Sequence, residues 1–297
     1  MSATWRGVAR KDVEDAIRSR MVWGLTGIFV VFLTLLLLAF QAQAPAGVDV
    51  GTVEALGFVA TLAQLFVPLV ALVAGYMAIV GERRSGSLRV LLSYPFTRRD
   101  VVLGKVVGRS VVIGTALLVA FLVGAAVATL VYGPPAAGSF AGFVAVALLF
   151  GLAFSGLAVG VSAATTTRGR AMALSIGTYV GLLFFWRPLV AGLYWAVNGS
   201  LPGLRADAWY FLLKRLSPLE AFRVLQSRVL GTEVAEAVGI PVEDVPADAT
   251  AEQLEIANRV AGEVPFYLQD WFAVVVLVAW GVVPVALGYL RFRDEDI

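Results

Sequence analysis

No charged residue occurs between Arg109 and Arg168. Within that stretch the sharpest break is Tyr132-Gly133-Pro134-Pro135, which separates two apolar runs, 110–131 and 140–163. Each run is long enough to cross ~30 Å of hydrocarbon as a helix. Four more runs of the same kind lie at 21–40, 59–80, 171–188 and 272–290. Backbone in lipid must satisfy its own hydrogen bonds, so such runs are expected to be helices. A soluble core is not a competing explanation. Of 297 residues 59% are hydrophobic and 15% charged, where soluble domains carry about 25% charge. The expected fold is an all-α polytopic membrane protein, one domain over 1–297, with six transmembrane helices.

The short connections alternate in charge. Segments 1–20, 81–109, 164–170 and 291–297 carry Lys or Arg, whereas 41–58 and 132–139 carry none. Six crossings put the basic segments on one side, and basic loops stay inside. Both termini are therefore expected in the cytoplasm, with the protein multi-pass in the plasma membrane and no nucleic-acid partner. Ala42-Gln43-Ala44 resembles a cleavage site. The preceding run is longer than the ~7–15 residues of a signal peptide, so retention is expected.

The segments between the runs have structure of their own. In 1–20, Trp5, Ala9, Val13, Ala16 and Ile17 recur at helical spacing among charges, which predicts an amphipathic helix on the membrane surface. Segment 81–109 carries seven basic residues against two acids. Its Leu88, Leu91 and Leu92 fall three and four apart, giving a short helix one apolar face. Tyr94-Pro95 ends that helix, and Thr97 with Asp100 starts the next. A short helix with a basic rim suits a soluble partner; a plain positive-inside anchor is the alternative. Between the last two runs, 189–270 forms a long outer loop, of which 194–270 is net −5 from six basic residues and eleven acids. There Ser217, Pro218 and Glu220 predict a capped helix running to Gly231. Thr250 and Gln253 predict a second, ending near Gly262. Leu189–Val197 is apolar but too short to cross, and reads as a re-entrant or interfacial segment. Arg187, near the outer end of its run, is expected to reach the headgroups.

Catalytic chemistry finds little support. Histidine and cysteine are absent, which removes Ser-His and Cys-His pairs and Cys/His zinc sites within the chain. Ala153-Phe154-Ser155-Gly156 offers a serine without a histidine base. Gly104-Lys105 is followed by Val106 and has no phosphate-cradling loop before it. No cofactor is expected on this chain.

Taken together, these features resemble the ABC-2 type permeases, the membrane subunits of ATP-binding-cassette transporters. The most specific part is Glu82, Arg83, Gly86, Ser87, Leu88, Leu91, Leu92, Pro95, Thr97, Arg98, Asp100, Gly104 and Lys105, at the spacing of that family's loop between helices two and three. The resemblance implies that this loop is a coupling helix docked on a separate ATPase subunit. That subunit would bind ATP and Mg. Gly86 to Leu92 would form the docking helix, with Glu82 beside it and Arg83, Arg84, Arg98 and Arg99 as its rim. The Ser217–Arg223 stretch and the outer loop resemble the NosY-like branch. That similarity implies a homodimer and an outer accessory protein meeting Ser217, Pro218, Glu220 and Arg223. Two functions are compatible with it: a permease driven by the ATPase, or a mechanotransmission anchor that moves no solute.

Overall fold

A computed structural model describes residues 4–42, 51–231, 242–246 and 250–294. The described chain is helical, without strands. The elements are α1 (Trp5–Ile17), α2 (Arg20–Ala42), α3 (Thr52–Gly75), α4 (Val80–Ser85), α5 (Ser87–Ser93), α6 (Arg98–Tyr132) and α7 (Ala137–Ala164). There follow α8 (Arg168–Val180), a π turn (Gly181–Phe185), α9 (Trp186–Asn198), α10 (Ala208–Arg215) and α11 (Pro218–Leu230). The chain closes with α12 (Ala251–Leu254), α13 (Ile256–Arg259), a 3-10 turn (Phe266–Leu268) and α14 (Asp270–Arg293). Among the described residues, five helical stretches are long and apolar enough to cross a membrane: Thr52–Ser85, Arg98–Tyr132, Ala137–Ala164, Arg168–Asn198 and Asp270–Arg293. Helix α2 is apolar over Thr26–Ala42. Gln43 and Ala44 of the cleavage-like sequence lie outside the described residues.

Helix α7 is the centre of the bundle. Its glycines let the backbone of α14 come into contact with its own. A Cβ on Gly156 would sit 2.1 Å from the Gly281 carbonyl oxygen, and one on Gly160 would sit 2.2 Å from that of Pro284. Gly288 meets the Gly160 oxygen in the same way, at 2.2 Å. On the opposite face, Gly75 of α3 faces the Ala158 methyl. Lipid supplies no hydrophobic force between helices, so close backbone packing takes its place.

Segment 189–270, expected as an outer loop, departs from expectation in two places. Leu189–Val197 is not a separate re-entrant segment, because α8, the π turn and α9 form one continuous helix. Pro188 lacks an N–H and would break an ordinary ladder. The wide π turn just before it takes up the mismatch. The segment that enters the bundle is instead α11. Phe222 is fully buried and stacks on Phe150, midway along α7, with centroids 4.2 Å apart. Gln64 of α3 donates to the Leu219 carbonyl at 3.0 Å. Protein side chains also bond carbonyls around the α10–α11 junction, where the ends of two helices leave acceptors unpaired. The Trp186 indole donates to the Leu213 carbonyl at 3.1 Å, and the Trp280 indole to that of Leu216 at 2.9 Å. The predicted caps of α11 are half present. Pro218 opens the helix and Gly231 closes it at φ 64°, but the Ser217 hydroxyl makes no cap bond. Thr250 and Gln253 do form a capping box, though the helix they start lasts only four residues.

Candidate functional site at the basic end of the bundle

The basic segments converge on one end. Helix α6 is 35 residues long, about 52 Å at helical rise, so it extends well past a hydrocarbon core. Its first turns form a root that holds everything else at this end. Thr97 and Asp100 make the predicted capping box. The Asp100 carboxylate also accepts from the first N–H of α1, Trp5, at 3.1 Å. Helix α1 then lies along α6, because Gly104 and Gly108 leave room for it. A Cβ at Gly104 would come within 2.5 Å of Val8, and one at Gly108 within 2.7 Å of Asp12. The buried face of α1 is Val8, Ala9, Asp12 and Ala16. Its aspartate is explained by Lys105, buried between Asp12 at 2.8 Å and Glu82 at 2.6 Å. Arg109 reaches the other Asp12 oxygen at 3.1 Å. One lysine thus ties α1, α4 and α6 together.

Helices α4 and α5 form an elbow hinged at Gly86, whose φ of 76° is left-handed and favours glycine. The start of α4 is held by α7. The Ser162 hydroxyl accepts from the N–H groups of Ile79 and Val80, at 3.0 and 3.1 Å. That hydroxyl stands in for the side-chain cap that α4 lacks.

The elbow corrects part of the sequence reading. Leu88 does not face outward: it is fully buried in a cluster with Ile79, Val101, Val102, Val159 and Phe292, and Leu91 packs half-buried against that cluster. Amphipathicity located the apolar face of α5 but not its partner, which is the bundle itself. Glu82, expected beside the docking helix, turns inward and pairs with Lys105. Arg83 lies over the Phe292 ring, and Arg98 donates to the Phe292 and Arg293 carbonyls at 2.7 and 2.8 Å. Ser87 turns back to the Glu82 carbonyl. The side chain of Leu92 lies outside the described residues. Arg84, Val90, Tyr94, Pro95 and Arg99 are among the exposed residues, with Val90 and Tyr94 each 61% exposed. Asp12, Val90, Ser162 and Phe292 were not picked out from sequence. Of these, only Asp12 left a signal, as an acid on an apolar helical face.

The residues assigned to an outer partner are also mostly internal. Ser217, Pro218 and Glu220 are buried, and Arg223 is half-buried. Glu220 is braced by Arg187 at 2.5 Å and Arg223 at 2.9 Å. Arg187 therefore pairs within the chain instead of reaching the headgroups. Glu243 continues the lattice, bound by Lys214 and by Arg259 at 2.7 Å. Burial pushes the Glu243 carboxyl up, but Lys214 and Arg259 outweigh it and hold it at about 2.

A bundle of membrane-length apolar helices, with an elbow of two short helices at its basic end, defines a polytopic membrane protein. A family model described as "ABC-2 family transporter protein" matches residues 6–297. The chain belongs to that family and is of the kind that forms the membrane subunit of an ABC transporter. It is 31% identical over 265 residues to a protein of Pseudomonas aeruginosa named "Probable ABC transporter permease protein NosY", covering 86% of this chain and 93% of that one. A protein of Stutzerimonas stutzeri with the same name is 30% identical over 231 residues, covering 76% and 81%.

Proposed function

We propose that this chain is the permease subunit of an ABC-2 transporter, driven by a separate cytoplasmic ATPase that docks on the elbow. The reading takes α2 as a sixth span, which puts both termini in the cytoplasm and 189–270 outside. The observation that carries it is the elbow. It is anchored to α6, α7 and α14, yet it leaves Val90 and Tyr94 exposed between Arg84 and Arg99. Two large exposed apolar groups in a segment that also exposes two arginines suit the acidic-rimmed groove of a soluble protein. The docking surface is accordingly Arg84, Val90, Tyr94, Pro95 and Arg99, with Leu88 and Glu82 supporting it from beneath. The double variant Val90→Asp, Tyr94→Asp is expected to lower co-purification of the co-expressed ATPase at least about tenfold, with unchanged yield in the membrane fraction. Normal co-purification would overturn the assignment.

Two copies complete the transporter in this reading. Their contact is assigned to the face of α8 and the π turn bearing Gly177 and Gly181, where an added Cβ would meet nothing within 4 Å. Small residues four apart suit close helix approach. The chain has no native cysteine, so Gly177→Cys alone should cross-link copies through a short bis-maleimide. Absence of a cross-linked dimer would put the interface elsewhere.

One feature favours motion transfer to an outer accessory protein. Helix α11 is embedded against α7 and α14 while its neighbours α10 and α13 share the outer charge lattice. A shift of the bundle would carry the outer segments with it. Reconstitution with the ATPase separates the two functions: ATP-dependent solute flux supports transport, and outer conformational change without flux supports signalling.

A further inference from the structure

Phe292 is fully buried close to the end of the last helix. Its ring lies beneath two guanidinium groups, Arg83 from α4 and Arg98 from the root of α6, each 5.6 Å from the centroid. Such placement is attractive because a ring face is electron-rich. Arg98 also accepts the role of a C-terminal cap, donating to the Phe292 and Arg293 carbonyls. These carbonyls lie at the end of α14, where partners are missing and the dipole is negative. Leu88, the buried residue of α5, lies in the same apolar cluster. One residue of α14 is thus engaged by every part of the elbow.

Beyond Phe292, α14 has little freedom to slip. Gly288 and Gly281 seat its backbone on that of α7. Twelve residues further back, about 18 Å at helical rise, the Trp280 indole holds the Leu216 carbonyl at the α10–α11 junction. Pro284 interrupts the hydrogen-bond ladder between these two anchors, but the stretch is seated on α7 at Gly281, Pro284 and Gly288 and so shifts as one packed piece. We propose that Phe292 is a positioning residue that passes displacement of the elbow into α14 and so to the α10–α11 junction. This rests on the reading that an ATPase docks on the elbow.

The test uses the full-length chain co-expressed with its ATPase and carrying one cysteine, Leu201→Cys, at an exposed outer position. The rate of maleimide labelling is read with and without ATP, beside ATPase co-purification and hydrolysis. In the otherwise unaltered chain, ATP should change the labelling rate by about tenfold, within the usual range of coupling between sites. Phe292→Ala should keep ATPase binding and hydrolysis but lose that response. Phe292→Leu, which retains apolar volume without a ring face, should lose most of it, and Phe292→Tyr should restore it. An undiminished response in Phe292→Ala overturns the proposal. So does loss of ATPase binding in that variant, which would make Phe292 a support of the docking surface alone. If the ATPase binds but the parent shows no response at residue 201, transmission through α14 is wrong while the docking reading stands. If no ATPase binds the parent chain, the docking reading itself fails and the proposal falls with it.

Discussion

Gly160→Ala is expected to be among the most destabilising single-methyl additions in this protein. In an ordinary helix that change stabilises by up to about 1 kcal/mol. Here the new carbon would lie 2.2 Å from the Pro284 carbonyl oxygen and 2.4 Å from its carbon. Neither obstacle is a side chain that can rotate away, so α7 and α14 would have to separate. The expected loss is at or beyond the ~3 kcal/mol end of the usual overpacking range. It should appear as a lower unfolding temperature in detergent and a reduced yield of monodisperse protein. Gly192→Ala is the control, since a Cβ there meets nothing within 4 Å; it should be neutral or slightly stabilising. Equal behaviour of the two variants would mean that the α7–α14 contact is not backbone-to-backbone.

Lys105→Met should be the most damaging change at the basic end. It leaves the carboxylates of Asp12 and Glu82 facing each other without their shared cation, and Asp12 is almost fully buried. Breaking a buried ion pair from one side costs about 3–5 kcal/mol, mostly through the charge left behind. Helix α1 should then detach from α6, and limited trypsin digestion should cut faster at Arg10 and Lys11. Asp12 keeps Arg109 at 3.1 Å, so the charge left without its partner is that of Glu82. The double variant Glu82→Gln, Lys105→Met removes it and should recover part of the loss, a coupling that a double-mutant cycle measures. If Lys105→Met resists trypsin as the parent does, the lysine is not what holds α1.

The elbow shows how far sequence reasoning reached. The leucine spacing correctly predicted a short helix, with Leu88 and Leu91 on its packed face, and Thr97 with Asp100 correctly predicted where α6 begins. Periodicity says that a face must be covered, not by what. Leu88 turned out to be covered by α6, α7 and Phe292, which leaves Val90 and Tyr94 as the outward residues. The same limit explains the outer loop. Capping residues located both ends of α11, but nothing local distinguishes a helix lying in water from one inserted beside Phe150. Arg187 and Glu220 lie 33 positions apart, and neither residue type states that the other is its partner.

The sequence by itself determined the membrane setting, the order and approximate length of the apolar helices, the Thr97–Asp100 and Thr250–Gln253 capping boxes and the charge asymmetry of the loops. Those properties follow from residues near one another along the chain, through periodicity, propensity and the cost of unpaired backbone in lipid. Only the tertiary structure decided that α11 is inside the bundle, that Gly104 and Gly108 receive α1, and that Lys105 joins three helices. It also decided which side of the elbow is free. Those outcomes depend on which faces meet, and in a bundle of mostly similar apolar helices that choice is made by close packing and a few long-range polar pairs.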